Sequence, residues 1–308
     1  MSKGLAVVIP TLNAGCQWKE ISQQLVTQSL AVDVLVIDSG SIDDTVAVSR
    51  DFGFTVEPIQ KSDFNHGGTR QHAVGLCSDA EIIVFMTQDA IPAGNDALTR
   101  LISAFDDPHV GAVYGRQLPR PHTGLIEAHA RLFNYPDQSY VATLSDRERL
   151  GIKAAFLSNS FAAYRRAALE AVGGFPAHVI LGEDTYVAGK MLLAGWKIAY
   201  RADAQVFHSH GYSYLQEFRR YFDIGVFHSR TAWMLTEFGK PEGEGGRFVH
   251  SEIRYLLGQA PWLIPSTLLR TILKYAGYRL GRMESGLPLG MKKICSMHKG
   301  FWASDRRG

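Results

Sequence analysis

The sequence has little cysteine and no pattern that would make cysteine structural. Its 308 residues include three cysteines, Cys16, Cys77 and Cys295, which are far apart and form no CxxC pair. Because disulfide frameworks and cysteine zinc sites need paired or clustered cysteines, both are excluded. The pattern favours a reducing cytoplasm.

Long apolar runs and a secretion signal are also missing. No stretch of about 18 apolar residues is free of charge, so we expect no membrane-spanning helix. The amino terminus reads MSKGLAVVIPTLN, without a basic segment followed by a long apolar one. We therefore predict no secretory signal.

Two nucleotide-binding signatures are absent. After the first apolar run the chain reads PTLNAG, where a dinucleotide-binding oxidoreductase has GxGxxG, and GxxxxGK[ST] does not occur. These glycines let the backbone approach phosphates closely, so their absence argues against an NAD-dependent oxidoreductase and a P-loop NTPase.

Charge is low in total but uneven along the chain. The formal net charge is +2, whereas residues 247–308 contain 11 Lys/Arg against 3 Asp/Glu. A basic tail therefore follows an acidic body. The small net charge of the whole chain argues against a nucleic acid partner.

The first 120 residues alternate between short apolar runs and segments of helical periodicity. The predicted strands are 5–9, 32–37, 54–58 and 81–86, and the predicted helices are 18–28, 43–52, 66–77 and 95–105. Ser41 or Asp43 is expected near the N-cap of the second helix. Continuous apolar strands between helices predict a parallel sheet covered on both faces.

The pattern changes after residue 110. We predict strands at 110–114, 155–164, 197–201 and 204–207, a helix at 184–194, and helices from His210 onward. Residues 118–150 carry no clear pattern and could form a loop over a site. Residues 241–246, PEGEGG, are expected to be a linker, and Pro261 and Pro265 to divide the tail into two helices.

Polar residues follow three of the predicted strands. In open α/β sheets ligands bind at the carboxyl ends of strands, so we predict a nucleotide site there. Asp38 could accept a hydrogen bond from a pyrimidine ring, and nearby helix N-termini could hold phosphates. Each group alone is also typical of a turn or helix cap. The residues are Pro10, Thr11 and Asn13, then Asp38 and Ser41, then Gln88 and Asp89.

These segments resemble a known family. VVIPTLN, VLVIDSGSIDDT, FNHGGTRQHA and IIVFMTQDAIP resemble the donor half of family-2 glycosyltransferases with the GT-A fold. SNSFAAYRRAALEAVGGFP and LGEDTYVAGKMLLAGWKIAYRADAQVFHSH resemble the acceptor half. The resemblance covers about residues 5–230. FNHGGTR and TQDA are most similar to bacterial rhamnosyltransferases that use dTDP-L-rhamnose.

The resemblance implies an architecture. The fold is α/β, a mixed and mostly parallel sheet flanked by helices, with a helical C-terminal extension. We expect a GT-A domain at 1–240, with a donor half at about 1–117 and an acceptor half at about 118–240. A basic helical extension is expected at 247–308.

It also implies an activity. We expect an inverting hexosyltransferase that moves L-rhamnose from dTDP-L-rhamnose to a hydroxyl of a bacterial surface polysaccharide, such as O-antigen, or of a lipid-linked oligosaccharide. Two alternatives remain open. One is a transferase of the same fold that uses a UDP- or GDP-sugar, and the other is a non-catalytic sugar-nucleotide-binding or membrane-scaffold relative.

The metal motif departs from the family pattern. The family has Asp-x-Asp, whereas this chain has Thr87-Gln88-Asp89, so one carboxylate remains. Mg²⁺ or Mn²⁺ can be held by one carboxylate with substrate phosphates, and we expect weak binding without nucleotide. By resemblance His208 is a second ligand, while His210 would face the opposite way if the strand continued. A metal-independent route remains open, in which Arg70 and the histidines neutralise the diphosphate.

The resemblance gives the catalytic base. In this family the second acid of the ED pair, here Asp184, takes the acceptor proton in a single displacement. The pair could instead simply favour a helix N-terminus. Glu183 and Asn159 are predicted to contact the donor or acceptor sugar.

A glycine-rich segment offers further donor contacts. Asn65 and His66 are expected to touch the sugar or phosphates, and Arg70 to clamp the diphosphate with its guanidinium. Arg70 could equally be an exposed helix arginine. Arg219 and Arg220 could bind phosphate or cover a helix face.

The basic, apolar tail suggests a peripheral membrane contact. Through 254–299 such helices could lie on an anionic inner leaflet. Packing on the body or a dimer contact are the alternatives. We expect the protein in the cytoplasm, either free or peripherally at the cytoplasmic face of the inner membrane.

Overall fold

The computed structural model describes residues 4–239 and 242–304. Its centre is one mixed sheet with the strand order β3-β2-β1-β4-β8-β6-β9-β5, and β7 pairs with β9 off this path. The strands are β1 (Leu5–Thr11), β2 (Asp33–Asp38), β3 (Thr55–Pro58), β4 (Ile82–Met86), β5 (Ile91–Pro92), β6 (Val110–Leu118), β7 (Tyr140–Ala142), β8 (Phe161–Arg165) and β9 (Lys197–Phe207).

Helices flank the sheet and continue into the carboxyl-terminal part. They are α1 (Trp18–Val26), α2 (Thr45–Asp51), α3 (His66–Leu76), α4 (Ala97–Ile102), α5 (Leu125–Asn134), α6 (Arg147–Leu150), α7 (Arg166–Ala171), α8 (Glu183–Leu193), α9 (Tyr214–Arg230), α10 (Ala232–Phe238), α11 (Glu242–Gln259), α12 (Ile264–Arg282), α13 (Leu289–Cys295) and α14 (Phe301–Ser304).

The first four long strands form the parallel part that their apolar runs predict. β1 pairs in parallel with β2 and β4, and β2 with β3. Alternate residues of β1 enter opposite layers of core, with Val7 packed beside α1 and α4 and Val8 beside α3, α7 and α8. Helices therefore cover both faces, and the three polar strand ends lie at one edge.

The second part of the sheet is mixed. β8 lies antiparallel between β4 and β6, whereas β6 and β9 are parallel. The two strands predicted at 197–201 and 204–207 are one strand, because β9 stays paired with β6 across an irregularity after Gly115. Residues 118–150 are not a simple loop, since they contain α5, β7 and α6.

One local prediction was wrong. Glu242 to Gly246 belong to α11 rather than to a linker, while Lys240 and Pro241 lie outside the described residues. The ion pair of Glu244 with Lys153 connects this glycine-rich turn to the body. The N-cap of α2 is Asp44, and Asp43 lies next to it as predicted, with its carboxylate accepting from the Thr45 N–H. The division near Pro261 and Pro265 is confirmed.

The helices α9 and α12 pack unusually closely. A Cβ on Gly277 would lie 2.3 Å from the Phe218 carbonyl oxygen, and one on Gly281 would lie 2.0 Å from that of Phe222. Only glycine allows this approach of two backbones. Within the described part of the chain, no helix combines the length and apolarity needed to span a bilayer.

Candidate active site

Hydrogen bonds join the three polar strand ends into one surface. Leu12, after β1, donates its N–H to the Gln88 side chain at 2.7 Å, and the Gln88 amide donates back to the Leu12 carbonyl. Asn13 donates its N–H to the Ser41 hydroxyl at 2.8 Å, and its side chain accepts from the N–H of Ile42. The three segments therefore lie together at one edge of the sheet, as predicted.

Asp38 shapes the turn after β2. Its carboxylate accepts hydrogen bonds from the Thr11 and Ser41 hydroxyls and from the N–H groups of Gly40 and Ser41. These four bonds occupy the lone-pair positions of a carboxylate. Asp38 thus positions the loop, and its predicted contact with a pyrimidine would need one of these bonds to be exchanged. Pro10 lies beside Thr11 at the end of β1.

A carboxylate and two imidazoles meet where β4 and β9 end. Asp89, His208 and His210 place one ligand atom each within 4.8 Å of one another. The Asp89 oxygens lie 3.4 Å from His208 Nε2 and 3.5 Å from His210 Nε2. The prediction placed Asp89 and His208 at a metal but turned His210 away. Turning His210 away was wrong, because residues two positions apart on an extended chain face the same side, and the cluster contains both histidines.

The orientation of His208 suits a cation. Its Nδ1 lies 2.8 Å from the Gln117 Oε1, which also accepts from Arg131, so Nδ1 carries the proton. The buried Nε2 then presents a lone pair, and it has no hydrogen-bond partner among the described residues. Burial lowers the pKa of both imidazoles, that of His210 to about 4. A cation between this lone pair and the Asp89 carboxylate would satisfy both, and a divalent metal fits the donor set.

The second centre lies at the start of α8. Asp184 accepts from the N–H groups of Asn159 at 3.1 Å and Thr185 at 2.8 Å, and it keeps a partly exposed surface. Burial, together with the negative charge of Glu183, raises the pKa of Asp184 to about 6. The carboxyl group is therefore a stronger base than an ordinary aspartate while remaining ionised at neutral pH.

Glu183 is buried and held by polar partners. Its Oε1 lies 2.9 Å from the Arg70 guanidinium and 3.0 Å from the Asn159 amide, and Asn159 in turn accepts from the Tyr164 hydroxyl. Arg70 also donates to the His66 carbonyl. Arg70, Glu183 and Asn159 therefore bind one another, and their predicted contacts with a sugar or diphosphate stay predictions.

Asn65 likewise has a structural function. Its side chain caps α3 by accepting from the Gly68 N–H and donates to the Ala177 carbonyl. His66 contacts the ring of His298 edge-on at 4.9 Å, so the carboxyl-terminal segment borders the site. Nothing in the sequence pattern pointed to His298.

One path connects the two centres. Gln117, the partner of His208, donates to the Ser158 hydroxyl at 2.9 Å. The next residue, Asn159, donates its N–H to Asp184. The cluster of Asp89, His208 and His210 is thus connected to the candidate base through Gln117, Ser158 and Asn159.

Two arginines border the cluster of Asp89, His208 and His210. Arg120 donates to the Asp89 carbonyl and to the Gln17 side chain. Arg220, on α9, is exposed and lies over the ring of Tyr212, which contacts His210. Arg220 is therefore better placed than Arg70 to meet an anionic leaving group, whereas Arg219 donates to the Ile294 carbonyl.

Solved structures identify the fold. The mannosyltransferase PcManGT from Pyrobaculum calidifontis, in complex with GDP-Man and Mn²⁺, aligns over 98% of this chain and 86% of its own, with a TM-score of 0.56 and 20% identity. S. aureus TarS 1–349 in complex with UDP-GlcNAc aligns over 92% and 91%, with a TM-score of 0.55 and 16% identity. The fold is GT-A, and it is the fold of a sugar-nucleotide transferase.

Sequence comparison identifies the family. The family model described as Glycosyl transferase family 2 matches residues 6–173. The O-antigen chain rhamnosyltransferase RfbN of Salmonella typhimurium is 48% identical over 97% of this chain and 96% of its own length. The O-antigen chain rhamnosyltransferase WbaN of Salmonella anatum is 46% identical over 96% and 95%. This chain belongs to glycosyl transferase family 2 and is a glycosyltransferase.

Breaking the buried pair of Glu183 and Arg70 should destabilise the fold strongly. Glu183→Ala would leave the guanidinium buried without its counter-charge, and we expect a loss of about 3–5 kcal/mol in the free energy of unfolding. Glu170→Ala, which removes an exposed partner of Arg166, should cost less than about 1 kcal/mol. Urea unfolding measures the stability of both variants. Equal unfolding midpoints would contradict the claim that Glu183 is the buried counter-charge of Arg70.

Proposed function

We propose that this protein transfers L-rhamnose from dTDP-L-rhamnose to a sugar hydroxyl of a growing O-antigen, with inversion at the anomeric carbon. The observation that carries the proposal is that a chain of hydrogen bonds connects two centres. The Asp89–His208–His210 cluster suits a metal-bound diphosphate, and Asp184, connected to it through Gln117, Ser158 and Asn159, suits a base. The rhamnosyltransferases at 48% and 46% identity support the sugar and the acceptor class.

In the proposed reaction Asp184 orients the acceptor. Its carboxylate accepts a hydrogen bond from the attacking hydroxyl and takes the proton as the oxygen bonds to the anomeric carbon. The bond from that carbon to the diphosphate oxygen breaks in the same displacement, so the configuration inverts. The N–H groups of Asn159 and Thr185 hold the carboxylate in place.

Asp89, His208 and His210 would hold Mg²⁺ or Mn²⁺. When bound, the ion would offset the charge that develops on the diphosphate. Gln117 fixes the His208 ring so that its lone pair points at the cluster. Arg220 would add positive charge at the leaving group. One carboxylate and two neutral imidazoles make a site of modest charge, which supports the expectation that the nucleotide contributes to metal affinity.

The donor is tested with purified enzyme and a panel of nucleotide sugars. With a lipid-linked O-antigen precursor as acceptor, we expect release of dTDP and glycan extension only with dTDP-L-rhamnose. Turnover with a UDP- or GDP-sugar but not with dTDP-L-rhamnose would contradict the donor assignment. Nucleotide binding without turnover of any donor would favour the non-catalytic alternative.

The reaction rate should fall in acid. Asp184 must be ionised to take a proton, and its pKa is raised to about 6. We expect kcat/KM to be constant above that pH and to drop about tenfold per pH unit below it. A pH profile measured with saturating metal checks this. An acid limb near pH 4, the range of an ordinary aspartate, would mean that Asp184 is not the group that titrates.

A further inference from the structure

The helix α12 turns its apolar side outward. One face carries the exposed residues Pro265, Leu268, Leu269, Ile272, Tyr275, Ala276, Arg279 and Met283, spaced by three or four positions over the full helix. Ile272 is 64% exposed, and Trp262, just before the helix, is 74% exposed. A surface helix of an ordinary globular protein has the opposite orientation, with its apolar stripe against the core.

The inward face of α12 is small and polar. Gly277 and Gly281 lie against the backbone of α9, and Thr267 is buried. Arg270 and Lys274 turn inward to Glu217 of α9, with nitrogen–oxygen distances of 3.1 and 3.6 Å. Glycine contacts, ion pairs and the inward side chains of Tyr278 and Leu280 attach the helix to the body, so its outward apolar residues are not needed for that attachment. They remain available as a contiguous surface, and such surfaces mark interaction sites.

The positive charge around this surface indicates an anionic partner. Residues 254–299 contain eight Lys/Arg and one Asp/Glu. Arg279 lies within the face and Lys293 follows on α13, and neither has an ion pair in the ranges 4–239 and 242–304. Aromatic residues Trp262 and Tyr275 belong to the exposed set. Apolar side chains with aromatic and cationic neighbours match the interface of an anionic bilayer.

The position of the surface connects it with the site. Arg270 donates to the Tyr212 carbonyl at 2.8 Å, and the Tyr212 ring contacts that of His210. The Tyr214 hydroxyl lies 2.9 Å from that of Ser266, at the start of α12. The helix that carries the apolar face is thus attached to the segment that carries the metal cluster.

We propose that the outward face of α12, with Trp262, docks the enzyme on an anionic membrane and holds the cleft at the bilayer surface. A lipid-linked acceptor would then reach Asp184 without leaving the membrane. The assignment of that acceptor rests on the proposed function, whereas the docking itself does not. A second copy of this chain is the competing occupant of the face.

Vesicle binding of the full-length protein tests the proposal. Sucrose-loaded vesicles containing phosphatidylglycerol should sediment the wild type, and vesicles of phosphatidylcholine should do so more weakly. The double variant Leu269→Ser/Ile272→Ser should partition at least about tenfold less. Val26→Ser/Val141→Ser removes apolar residues that are 48% and 49% exposed elsewhere, and it should bind as the wild type does. Arg279→Gln/Lys293→Gln should lose about tenfold on the anionic vesicles alone.

The outcomes separate docking from catalysis. Since the substituted side chains face solvent, the Leu269→Ser/Ile272→Ser variant should keep its melting temperature and its activity on a water-soluble acceptor. Equal sedimentation of this variant and the wild type would overturn the proposal, as would no sedimentation of the wild type. A wild-type dimer that the same substitutions convert to a monomer, without vesicle binding, would assign the face to a second copy. Failure of rhamnose transfer with intact vesicle binding would overturn the proposed function and leave the docking in place.

Discussion

Replacing Asp184 with asparagine is expected to lower kcat by about 10²–10⁴-fold, because the acceptor hydroxyl would lose its base. Asparagine has nearly the same shape, and its oxygen can still accept from the N–H of Asn159 or Thr185. Removing one of two adjacent carboxylates also relieves repulsion with Glu183, which partly offsets the lost charge at the helix start. The fold and the donor affinity should therefore survive.

The comparison for this variant is Asp79→Asn, an exposed aspartate on the surface. Steady-state kinetics and titration with dTDP measure turnover and nucleotide binding separately. Near-normal turnover of Asp184→Asn would remove Asp184 from the reaction. A parallel loss of dTDP binding would mean that the residue supports the donor site rather than the chemical step.

Asp89→Asn is expected to abolish the response to metal and to lower activity by at least about 100-fold. A neutral amide would replace the one carboxylate among three ligands, and the charge on the diphosphate would lose part of its compensation. After EDTA treatment, Mn²⁺ should restore the wild type but not the variant. The matched control is Asp96→Asn, which removes an exposed carboxylate paired with Arg100.

Gln117→Leu provides a graded test of the same site. The substitution leaves all three ligands but frees the His208 ring, and such changes beside a ligand typically weaken metal binding by about 10–100-fold. The half-saturating Mn²⁺ concentration should rise by that factor, with kcat nearly unchanged at saturating metal. Full activity of the wild type in EDTA would instead favour a metal-independent route through Arg120 and Arg220.

The strand ends were predictable because two simple regularities coincide there. Apolar runs such as 32–37 form buried parallel strands, and parallel strands end at one edge of the sheet. The polar residues that follow, Thr11, Asp38 and Gln88, had to lie near each other. Their individual partners were not predictable, because several hydroxyls and amides compete for each carboxylate.

His210 shows a pattern that was misread. Residues two positions apart on a strand share a face, so alternation turns His208 and His210 to the same side, and the prediction that separated them was wrong. β9 ends one residue before His208. Beyond a strand end the backbone direction depends on tertiary contacts, such as the hydrogen bond from the N–H of His208 to the Leu118 carbonyl. The HxH spacing after a strand was the available signal, because residues two positions apart on an extended chain face the same side.

Arg70, Glu183 and Asn159 show a second limit. A charged or amide side chain in a functional segment can contact the substrate or hold a neighbour that does, and sequence does not distinguish these functions. The structure adds their partners, since Arg70 and Glu183 are each 5% exposed and lie 2.9 Å apart as an ion pair. The predicted boundaries near residues 117 and 240 separate a donor half from an acceptor half. They stay predictions, because no bound donor or acceptor tests this division.

The anomeric configuration of the product tests the central claim most directly. Purified enzyme, dTDP-L-rhamnose, Mn²⁺ and an O-antigen precursor are combined, and NMR reads the one-bond carbon–proton coupling at the new linkage. A single displacement assisted by Asp184 predicts a rhamnosyl linkage opposite in configuration to the donor, formed by the wild type and not by Asp184→Asn. A product with the configuration of the donor, or one formed equally by both proteins, would contradict the account.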